Sequence, residues 1–368
     1  MKLQKLIVNS VLQFCRLFLG FTSIHKNRIT FVSLENDHLA GDFLLLSRVL
    51  ERTEVYEIKY ILTKYEKSLL GNIKYFITII KQFYVINTSR LVILDYNNYV
   101  VSNFKREGVK VLQLWHATGA IKRFGNAVDR DYAICNYDYV IVNAPYFTNA
   151  FAAAFGVKEQ QVHITGIPKT DRLFQEQKIK ADRKKMYKEF PQLKNKKVIL
   201  YAPTFRGRLM KGFKEGYINL DYISEKLSNE YILIYKMHPL LENRIISKHP
   251  NVLCCNGMSI KRLFSISDYL ISDYSAIIFD FSVFCKPMLF YVPDLEEYRQ
   301  DVGFYVDYET EMPGPLCKHE DEIIQKIENN DFDMDKIVQF KKKFFAYDDG
   351  QSTKRVIDLI QQIMGDSK

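Results

Sequence analysis

Two histidines follow apolar segments that resemble buried strands, a position from which a side chain can act on a bound ligand. His116 closes the segment GVKVLQLWH, and His238 closes YILIYKMH and is followed by Pro239. The pKa of an imidazole lies near neutrality, so either ring could take up or release a proton in a reaction. A histidine held structurally by hydrogen bonds is the alternative for each. His116 is thus a candidate general base, and His238 is a candidate for lining a ligand-binding cleft.

Cationic and hydroxyl side chains follow segments of the same kind. Lys122 and Arg123 come shortly after His116 in LWHATGAIKRFG, and Thr204 and Arg206 come just past a strand in YAPTFRG. A guanidinium offers a fork of donors that matches a phosphate, and a hydroxyl can add a further hydrogen bond. A surface loop with a solvated arginine is the alternative. The pattern predicts a phosphate-binding site.

A fourth strand end provides another candidate anion site. In LISDYSAIIFDF a strand runs to Asp273, and we expect Asp273 or Ser275 to cap the helix that follows. The free backbone N–H groups at the start of a helix bind anions. Asp280 lies between two phenylalanines, where an unpaired carboxylate is costly to bury, so we expect it to contact a ribose or cytidine group. The alternative is an ordinary N-cap with an exposed Asp280.

The motifs of several large enzyme classes are absent from the sequence. There is no GxxxxGK[ST], GxGxxG or GxSxG, which disfavours P-loop kinases, NAD enzymes and α/β-hydrolases. The seven histidines and six cysteines show no metal-ligand spacing, and no Cys-x-x-Cys pair occurs. We therefore expect no metal site and no cofactor, in a reduced cytosolic protein without a disulfide framework.

The segments around these motifs alternate between apolar strands and helices. This alternation predicts an α/β protein whose parallel sheets are covered on both faces. The predicted strands are residues 28–34, 56–62, 90–96, 108–116, 138–144, 161–166, 196–205, 231–239, 251–255, 267–273 and 287–291. A charged linker over 175–197 separates them into two groups, so we expect two Rossmann-like domains facing each other across a cleft, with ligands at the carboxyl ends of the strands.

The predicted domain organisation has four parts. Residues 1–25 form an N-terminal helix, 26–175 a first Rossmann-like domain, 176–345 a second one, and 346–368 a C-terminal helix. Ser352 is the expected N-cap of the last helix.

The net charge of the 368-residue chain is +9, and most of the excess lies in the first half. Residues 1–171 hold 21 basic and 14 acidic side chains, whereas residues 172–368 hold 31 and 29. An anionic partner is therefore expected for the first half, either nucleic acid or an anionic membrane. No helix-turn-helix or RNP-like strand is present, so nucleic acid is disfavoured as a partner.

The first residues predict a basic amphipathic helix. Its apolar side holds Leu3, Leu6, Ile7, Val11, Phe14, Leu17, Phe18 and Phe21, and its opposite side holds Lys2, Lys5, Asn9, Gln13 and Arg16. The run is too polar for a signal peptide or a spanning helix, so we expect it to lie on an anionic bilayer surface, helped by a second apolar, basic stretch at 73–86. Packing of the helix on its own domain is the alternative.

Taken together and in this order, WHATGAIKRFG, YAPTFRG, KMHP and SDYSAIIFDF resemble the CDP-glycerol glycerophosphotransferase family, whose members build wall teichoic acid in Gram-positive bacteria. The resemblance covers roughly residues 90–350 and implies the GT-B fold. The family's first motif is usually WHGTPLK, and here Ala117, Gly119, Ala120 and Ile121 depart from it, with Lys122 next. The WHATGA form and the short chain resemble the primase branch of the family.

The resemblance implies that the domain at 26–175 meets the acceptor and the membrane and that the domain at 176–345 binds the donor. It also implies a role for each matching residue. The catalytic residues would be His116, which takes the proton from the acceptor hydroxyl, and His238, which contacts the donor phosphates and helps to stabilise the transition state or the leaving group. The CDP-glycerol pocket would be lined by Thr204, Arg206, Ser275, Ala276 and Asp280, where Ala276 replaces the serine of many relatives and offers only its backbone N–H. The other substrate-binding residues would be Trp115, Ala117, Thr118, Gly119, Lys122, Arg123, Pro203, Met237, Pro239 and Asp273, with Lys122 and Arg123 near the acceptor diphosphate.

The implied reaction transfers glycerol phosphate from CDP-glycerol to undecaprenyl-diphosphate-linked N-acetylmannosaminyl-N-acetylglucosamine and releases CMP. The enzyme would be peripheral on the cytoplasmic face of the membrane, and a homo-oligomer is compatible with the sequence. The alternatives are an elongating glycerol- or ribitol-phosphate transferase of the same family, a GT-B glycosyltransferase that uses a nucleotide sugar, and a non-catalytic basic protein that binds membranes or nucleic acid.

Overall fold

The computed structural model describes residues 2–64, 68–204, 207–208, 212–213, 218–238, 241 and 243–365. Its strands are β1 His25–Ser33, β2 Glu57–Leu62, β3 Ser89–Leu94, β4 Lys110–Gln113, β5 Tyr139–Val142, β6 Val162–Ile164, β7 Lys197–Tyr201, β8 Gly207–Arg208, β9 Gly212–Phe213, β10 Tyr231–Tyr235, β11 Val252–Cys254, β12 Tyr269–Ser272, β13 Met288–Tyr291 and β14 Leu316–Cys317.

The helices alternate with these strands. They are α1 Lys2–Leu19, α2 Gly41–Glu51, α3 Leu69–Asn87, α4 Tyr99–Phe104, α5 Thr148–Phe155, α6 Glu176–Glu189, α7 Leu220–Lys226, α8 Ile260–Ile266, α9 Ile277–Ser282, α10 Leu295–Asp301, α11 Tyr308–Glu311, α12 Glu320–Glu328, α13 Met334–Phe344 and α14 Ser352–Met364. Short 3-10 helices cover Gly125–Ala127, Pro145–Phe147, Glu159–Gln161, Pro168–Phe174 and Pro191–Leu193.

The chain divides into two compact units, and each is discontinuous in sequence. The first contains the chain up to Thr118, Phe124–Asp171 and the residues from Asp349 onward, and the second contains Gly119–Arg123 and Arg172–Asp348. The domain boundary predicted from the sequence lies after residue 175. That prediction also treats the last helix as a separate part and places residues 119–123 in the first domain. The functional division of these parts stays a prediction.

The first unit is built on a parallel six-stranded sheet with the order β2-β1-β3-β4-β5-β6. The central residues of its strands are mostly apolar and buried because helices cover both faces of such a sheet. Phe31, Leu91, Ile93 and Leu112 are buried in its core. The apolar side of α14 packs into the same core, which joins the end of the chain to the first sheet.

The second unit repeats this architecture with a parallel six-stranded sheet of order β11-β10-β7-β12-β13-β14. Ile199, Leu233, Ile271 and Leu289 lie in its core. The α/β class with two parallel sheets is thereby confirmed. The short strand β14 and the two-residue pair β8 and β9 have no counterpart among the predicted strands.

The charged segment expected as a linker folds as part of the second unit. Residues 176–189 form α6, which packs on α8. Met186 and Asp182 are buried there, and the Asp182 carboxylate accepts hydrogen bonds from the Arg172 guanidinium at 2.6 and 2.8 Å. The expectation of a linker is therefore wrong, because the many surface charges of α6 conceal a narrow buried side.

Asp171 fixes the start of α14. Its Oδ1 accepts a hydrogen bond from the Ser352 N–H at 2.7 Å, and its Oδ2 accepts one from the Thr353 N–H at 2.8 Å. Ser352 is the first helical residue, and Gln351 holds the N-cap position without a side-chain cap. The expectation that Ser352 caps this helix is wrong, since the free N–H groups are satisfied by a carboxylate far away in sequence.

The N-terminal helix α1 is attached to the first unit by the side that carries Asn9, Leu12 and Leu19. Leu12 and Leu19 are buried, the Tyr99 hydroxyl donates to Asn9 Oδ1, and Arg106 Nη1 donates to the Leu19 carbonyl at 3.2 Å. Its apolar side remains exposed, at Leu6, Ile7, Phe14, Leu17 and Phe18, as does Phe21 beyond the helix. The helix therefore packs on its domain and still presents an apolar surface.

The second apolar stretch, 73–86, belongs to α3 and is partly buried. Ile79, Phe83 and Ile86 are buried in the first unit, and Ile77 and Tyr84 are exposed. Among the described helices, none combines the length and the hydropathy that crossing a bilayer requires.

Candidate active site

Polar side chains converge at the carboxyl end of the first sheet. Glu35 follows β1, Asp95 follows β3 and His116 follows β4, and these three strands are adjacent in the sheet. Parallel strands bring such residues to one edge, which is where α/β sheets bind ligands. The edge therefore carries two carboxyl groups and an imidazole.

His116 lies three residues past the end of β4 rather than on the strand. The chain turns at Trp115, whose φ of 61° places a bulky residue in the left-handed region. The Trp115 N–H donates to Gln113 Oε1 at 2.9 Å, and its ring stacks on Phe124 with centroids 4.6 Å apart. A strained backbone of this kind persists only where packing enforces it, and such residues cluster at functional sites.

Contacts on several sides hold the His116 ring. Its Nδ1 lies 3.4 Å from Glu35 Oε1, and its ring centroid lies 4.0 Å from that of Trp115 and 6.2 Å from that of Tyr96. Lys169 Nζ donates to the His116 carbonyl at 2.5 Å. The side chain nevertheless keeps 38% of its surface exposed, so the imidazole is oriented and still accessible.

The pKa values of Glu35, Asp95 and His116 depart from their ordinary values. Burial raises the pKa of Glu35 to about 7, helped by the charge of Asp95, and burial raises the pKa of Asp95 to about 6. Burial and the nearby Lys169 ammonium lower the pKa of His116 to about 4. A hydrogen bond with the Asp95 backbone has a weaker, opposite effect. At neutral pH the imidazole is therefore uncharged, which is the form that can accept a proton.

Residues Gly119–Arg123, the second half of the first motif, pack on the second unit. We call them the crossover segment. Lys122 forms an antiparallel bridge with Phe304, the Arg123 N–H donates to the Gly303 carbonyl at 3.1 Å, and the Tyr305 N–H donates to the Ile121 carbonyl at 2.8 Å. Gly303 has a φ of +73°, and a Cβ there would lie 3.0 Å from Arg123 Cδ, so a glycine lets the segment dock.

The crossover segment brings a cation to the strand ends of the second sheet. Lys122 Nζ donates to Thr204 Oγ1 at 2.9 Å, and the Thr204 N–H donates to Asp273 Oδ1 at 2.7 Å. Lys122 Nζ also lies 5.8 Å from the ring centroid of Tyr298. Thr204 follows β7 and Asp273 follows the adjacent strand β12, so one edge of the sheet carries an ammonium, a hydroxyl and a carboxylate.

His238 follows β10, which is the other neighbour of β7 in the sheet. Burial lowers the pKa of His238, and the positive charge of Lys122 lowers it further. The backbone before it is fixed by Asn256, whose Oδ1 accepts a hydrogen bond from the Met237 N–H at 2.8 Å. The Met237 side chain is 1% exposed and lies in the core. His238 and Lys122 are thus electrostatic neighbours at one edge.

The motif LISDYSAIIFDF, at 270–281, does not have the helix cap that its sequence predicts. The helix α9 begins at Ile277, its N-cap is Ala276, and no side chain caps it. The expectation that Asp273 or Ser275 caps this helix is wrong, because Asp273 holds the Thr204 backbone instead. Asp280 is 8% exposed, which excludes the alternative of an exposed carboxylate. Ser275 and Ala276 are half-buried beside this strand end.

The remaining predicted site residues fall into three groups. Trp115, Thr118, Gly119 and Pro203 are buried, Ala117 is half-buried, and Arg123 is exposed. Arg206 and Pro239 lie outside the described residues, so their roles stay predictions. In the part of the chain that the structure describes, no three His, Cys, Asp or Glu side chains converge as metal ligands.

Sequence reasoning missed Glu35, Asp95, Tyr96 and Lys169. The signal was present for the first three, since each follows an apolar strand, as His116 does. Lys169 lies in a 3-10 helix after β6, and its N–H donates to Asp42 Oδ1 at 2.5 Å. Its approach to His116 depends on tertiary packing, and nothing in the local sequence indicates it.

Comparisons with known proteins agree with the resemblance. The family described as CDP-glycerol:poly(glycerophosphate) glycerophosphotransferase matches residues 14–362. A teichoic acid ribitol-phosphate primase of Bacillus spizizenii is 31% identical over 95% of this chain and 94% of its own length. A teichoic acid glycerol-phosphate primase of Bacillus subtilis is also 31% identical, over 78% and 77%.

Longer relatives and a solved structure extend the comparison. A teichoic acid poly(ribitol-phosphate) polymerase of Bacillus spizizenii is 32% identical over 92% of this chain, which spans 56% of that relative. The structure of the wall teichoic acid polymerase TagF matches with a TM-score of 0.73 and 22% identity, over 98% of this chain and 96% of the other. This likeness confirms the GT-B fold. The chain belongs to the CDP-glycerol:poly(glycerophosphate) glycerophosphotransferase family of teichoic acid enzymes, and it is a transferase of that type.

Proposed function

We propose that the protein is a teichoic acid primase. It transfers glycerol phosphate from CDP-glycerol to the undecaprenyl-diphosphate-linked disaccharide N-acetylmannosaminyl-N-acetylglucosamine, and CMP leaves. The WHATGA form of the first motif supports the primase branch, as does an alignment that spans nearly the whole length of a primase.

The observation that carries the proposal is the contact between Lys122 and Thr204. A transferred phosphoryl group needs fixed positive charge and hydrogen-bond donors more than any covalent help from the protein. Lys122 Nζ, held 2.9 Å from Thr204 Oγ1, supplies an ammonium at the carboxyl ends of β7 and β10, beside His238. We assign this edge of the second sheet to the CDP-glycerol diphosphate, and Lys122 thus serves the donor rather than the acceptor diphosphate. The assignment of Arg123 to the acceptor diphosphate stays a prediction.

On the first sheet, we assign His116 as the base. It is oriented by its neighbours, accessible to solvent and uncharged at neutral pH. The acceptor hydroxyl loses its proton to the imidazole, and its oxygen attacks the phosphorus that bears glycerol. The new P–O bond forms as the bond to the CMP oxygen breaks. The Lys122 ammonium on the donor side stabilises the charge that develops on CMP.

A surface on the first unit supports peripheral attachment to the membrane. The exposed side chains Leu6, Ile7, Phe14, Leu17 and Phe18 form a continuous apolar face on a helix that is anchored to the domain by its other side. Such a face in a unit of net positive charge favours the surface of an anionic bilayer, which is where a lipid-linked acceptor resides. The proposed location is the cytoplasmic face of the membrane.

Ribitol phosphate is the second candidate for the transferred group. The observation that favours it is the alignment with a ribitol-phosphate primase over 95% of this chain, against 78% for a glycerol-phosphate primase at the same identity. The two polyols differ in length and not in the phosphate chemistry, so the Lys122 and His116 assignments hold for both.

A donor screen tests the proposal. Purified protein is incubated with synthetic lipid-linked disaccharide and with CDP-glycerol, CDP-ribitol or UDP-N-acetylglucosamine, and nucleotide release is measured. We expect acceptor-dependent CMP release from CDP-glycerol. CMP release from CDP-ribitol alone would move the assignment to the second candidate, and UDP release alone would contradict phosphotransfer.

A further inference from the structure

We propose that Glu35 is the positioning residue for His116, and that its carboxylate selects the imidazole tautomer that can act as a base. This inference rests on the proposed function for its catalytic consequence. Its structural basis is the contact of 3.4 Å between Glu35 Oε1 and His116 Nδ1.

The backbone of Glu35 is held independently of His116. Ser33 Oγ donates to Asp95 Oδ2 at 2.8 Å and accepts a hydrogen bond from the Glu35 N–H at 3.2 Å. It also accepts one from the Asn36 N–H at 3.3 Å. The turn after β1 is thereby tied to the residue after β3, and this arrangement fixes where the Glu35 side chain begins. A carboxyl group placed this way is a preorganised partner for the ring.

Two aromatic rings lie beside the imidazole ring. Trp115 and Tyr96 pack against it, and Lys169 holds the His116 carbonyl. With Nδ1 directed to Glu35, Nε2 is the nitrogen that remains for the acceptor hydroxyl. A neutral imidazole has one N–H and one lone pair, so the partner of Nδ1 decides whether Nε2 can accept a proton.

The two protonation states of Glu35 have opposite consequences. As a carboxylate, Glu35 accepts a hydrogen bond from Nδ1–H, so Nε2 carries the lone pair and can take the acceptor proton. The imidazolium that results is stabilised by the adjacent negative charge. As a neutral acid, Glu35 donates to Nδ1, so Nε2 carries the hydrogen and cannot act as a base.

The groups around Glu35 place this change near neutral pH. Burial and the negative charge of Asp95 raise the pKa of Glu35 to about 7, while the Lys169 ammonium opposes them. The negative charge of Asp42, which lies on α2, contributes to the raised pKa of Asp95. Because the Glu35 pKa is raised, the carboxylate form dominates only above about pH 7. Activity that depends on it therefore rises with pH through this value.

The first test is the pH profile of turnover in Glu35→Gln, with Glu35→Asp as the conservative variant. We expect Glu35→Gln to lower kcat about 10- to 100-fold at pH 8 with little change in the KM for CDP-glycerol, since the loss falls on the proton-transfer step. We also expect the rise in activity near pH 7 to disappear. Glu35→Asp restores part of the rate, because it keeps a carboxylate. An unchanged profile in Glu35→Gln would overturn the proposal.

The second test does not need activity. The ring nitrogens of ¹⁵N-histidine-labelled protein are followed by NMR from pH 5 to pH 9, and His116 is assigned with the His116→Gln variant. We expect the His116 nitrogen shifts to change near pH 7 in the wild-type chain, as the tautomer changes, and to stay constant there in Glu35→Gln. Identical titrations in both proteins would overturn the role of Glu35. If the wild-type chain releases CMP from neither CDP-glycerol nor CDP-ribitol, the proposed function fails while this test still decides the inference.

Discussion

Lys122 Nζ donates a hydrogen bond to Thr204 Oγ1 at 2.9 Å, across 82 residues of sequence. The contact joins the motif WHATGAIKRFG to the motif YAPTFRG, and both residues lie in the second compact unit. The first motif is consequently divided, with His116 in the unit that holds the first sheet and Lys122 in the unit that holds the second. One short segment thus carries both the proposed base and the proposed donor-binding cation.

Replacement of Lys122 by methionine tests the donor assignment. The ammonium makes a charge-assisted contact, and losing such a contact costs about 1.5–3 kcal/mol. We therefore expect Lys122→Met to lower kcat/KM for CDP-glycerol about tenfold or more. Lys180→Met removes an exposed ammonium on α6 and is the matched control, with wild-type kinetics expected. Equal kinetics for the two variants would contradict the assignment.

The same substitution has a spectroscopic consequence at His238. The positive charge of Lys122 contributes to the lowered pKa of this ring, after burial. Removing the charge leaves only the burial effect, so the pKa of His238 rises in Lys122→Met. An NMR titration of the His238 ring measures this shift, and a His238 pKa that stays constant would show that the two groups do not interact in solution.

Truncation of the exposed apolar face of α1 tests membrane attachment. Phe14 and Leu17 are 61% and 70% exposed, so their substitution by serine leaves the core intact. Burial of one such side chain contributes about 1.5–3 kcal/mol, and we expect each change to weaken binding to anionic vesicles about tenfold or more. Ile245→Ser is the control, because Ile245 is 69% exposed on the second unit. Co-sedimentation with vesicles measures the binding, and equal losses in all three variants would argue against a specific role for α1.

The C-terminal helix should depend on Asp171. Asp171→Ala leaves the Ser352 and Thr353 N–H groups without their acceptor and costs about 1–3 kcal/mol of local stability. We expect amide hydrogen exchange in α14 to accelerate about tenfold or more. Asp358→Ala removes an exposed carboxylate from the same helix and is expected to leave the exchange nearly unchanged. If the two variants exchange alike, Asp171 does not stabilise the helix start.

The strand ends were predictable because the signal is local. A buried apolar run followed by a polar residue marks the edge of a parallel sheet, and this rule located His116, Thr204, His238 and Asp273. The rule also applies to Glu35 and Asp95, which follow β1 and β3. Their chemistry was not apparent because a single carboxylate after a strand resembles an ordinary loop residue until its neighbour is known.

Relationships between distant residues were not predictable. The link between Asp171 and Ser352 spans 181 residues, and it replaces the local cap that the sequence suggests. The division of the first motif also depends on tertiary packing, since the antiparallel bridge from Lys122 to Phe304 has no local signature. The strands end earlier than predicted at β4, β7 and β10, because the apolar residues beyond them are buried in loops rather than in the sheet.

The proposed reaction of this chain is the addition of a first polyol phosphate unit to a lipid-linked disaccharide. Mass spectrometry of the product formed from CDP-glycerol and synthetic undecaprenyl-diphosphate disaccharide tests it most directly, with His116→Ala as the inactive reference. We expect a product that carries one added glycerol phosphate with the wild-type chain and no product with His116→Ala. A ladder of two or more added units would contradict the primase assignment, and full turnover by His116→Ala would contradict the proposed base.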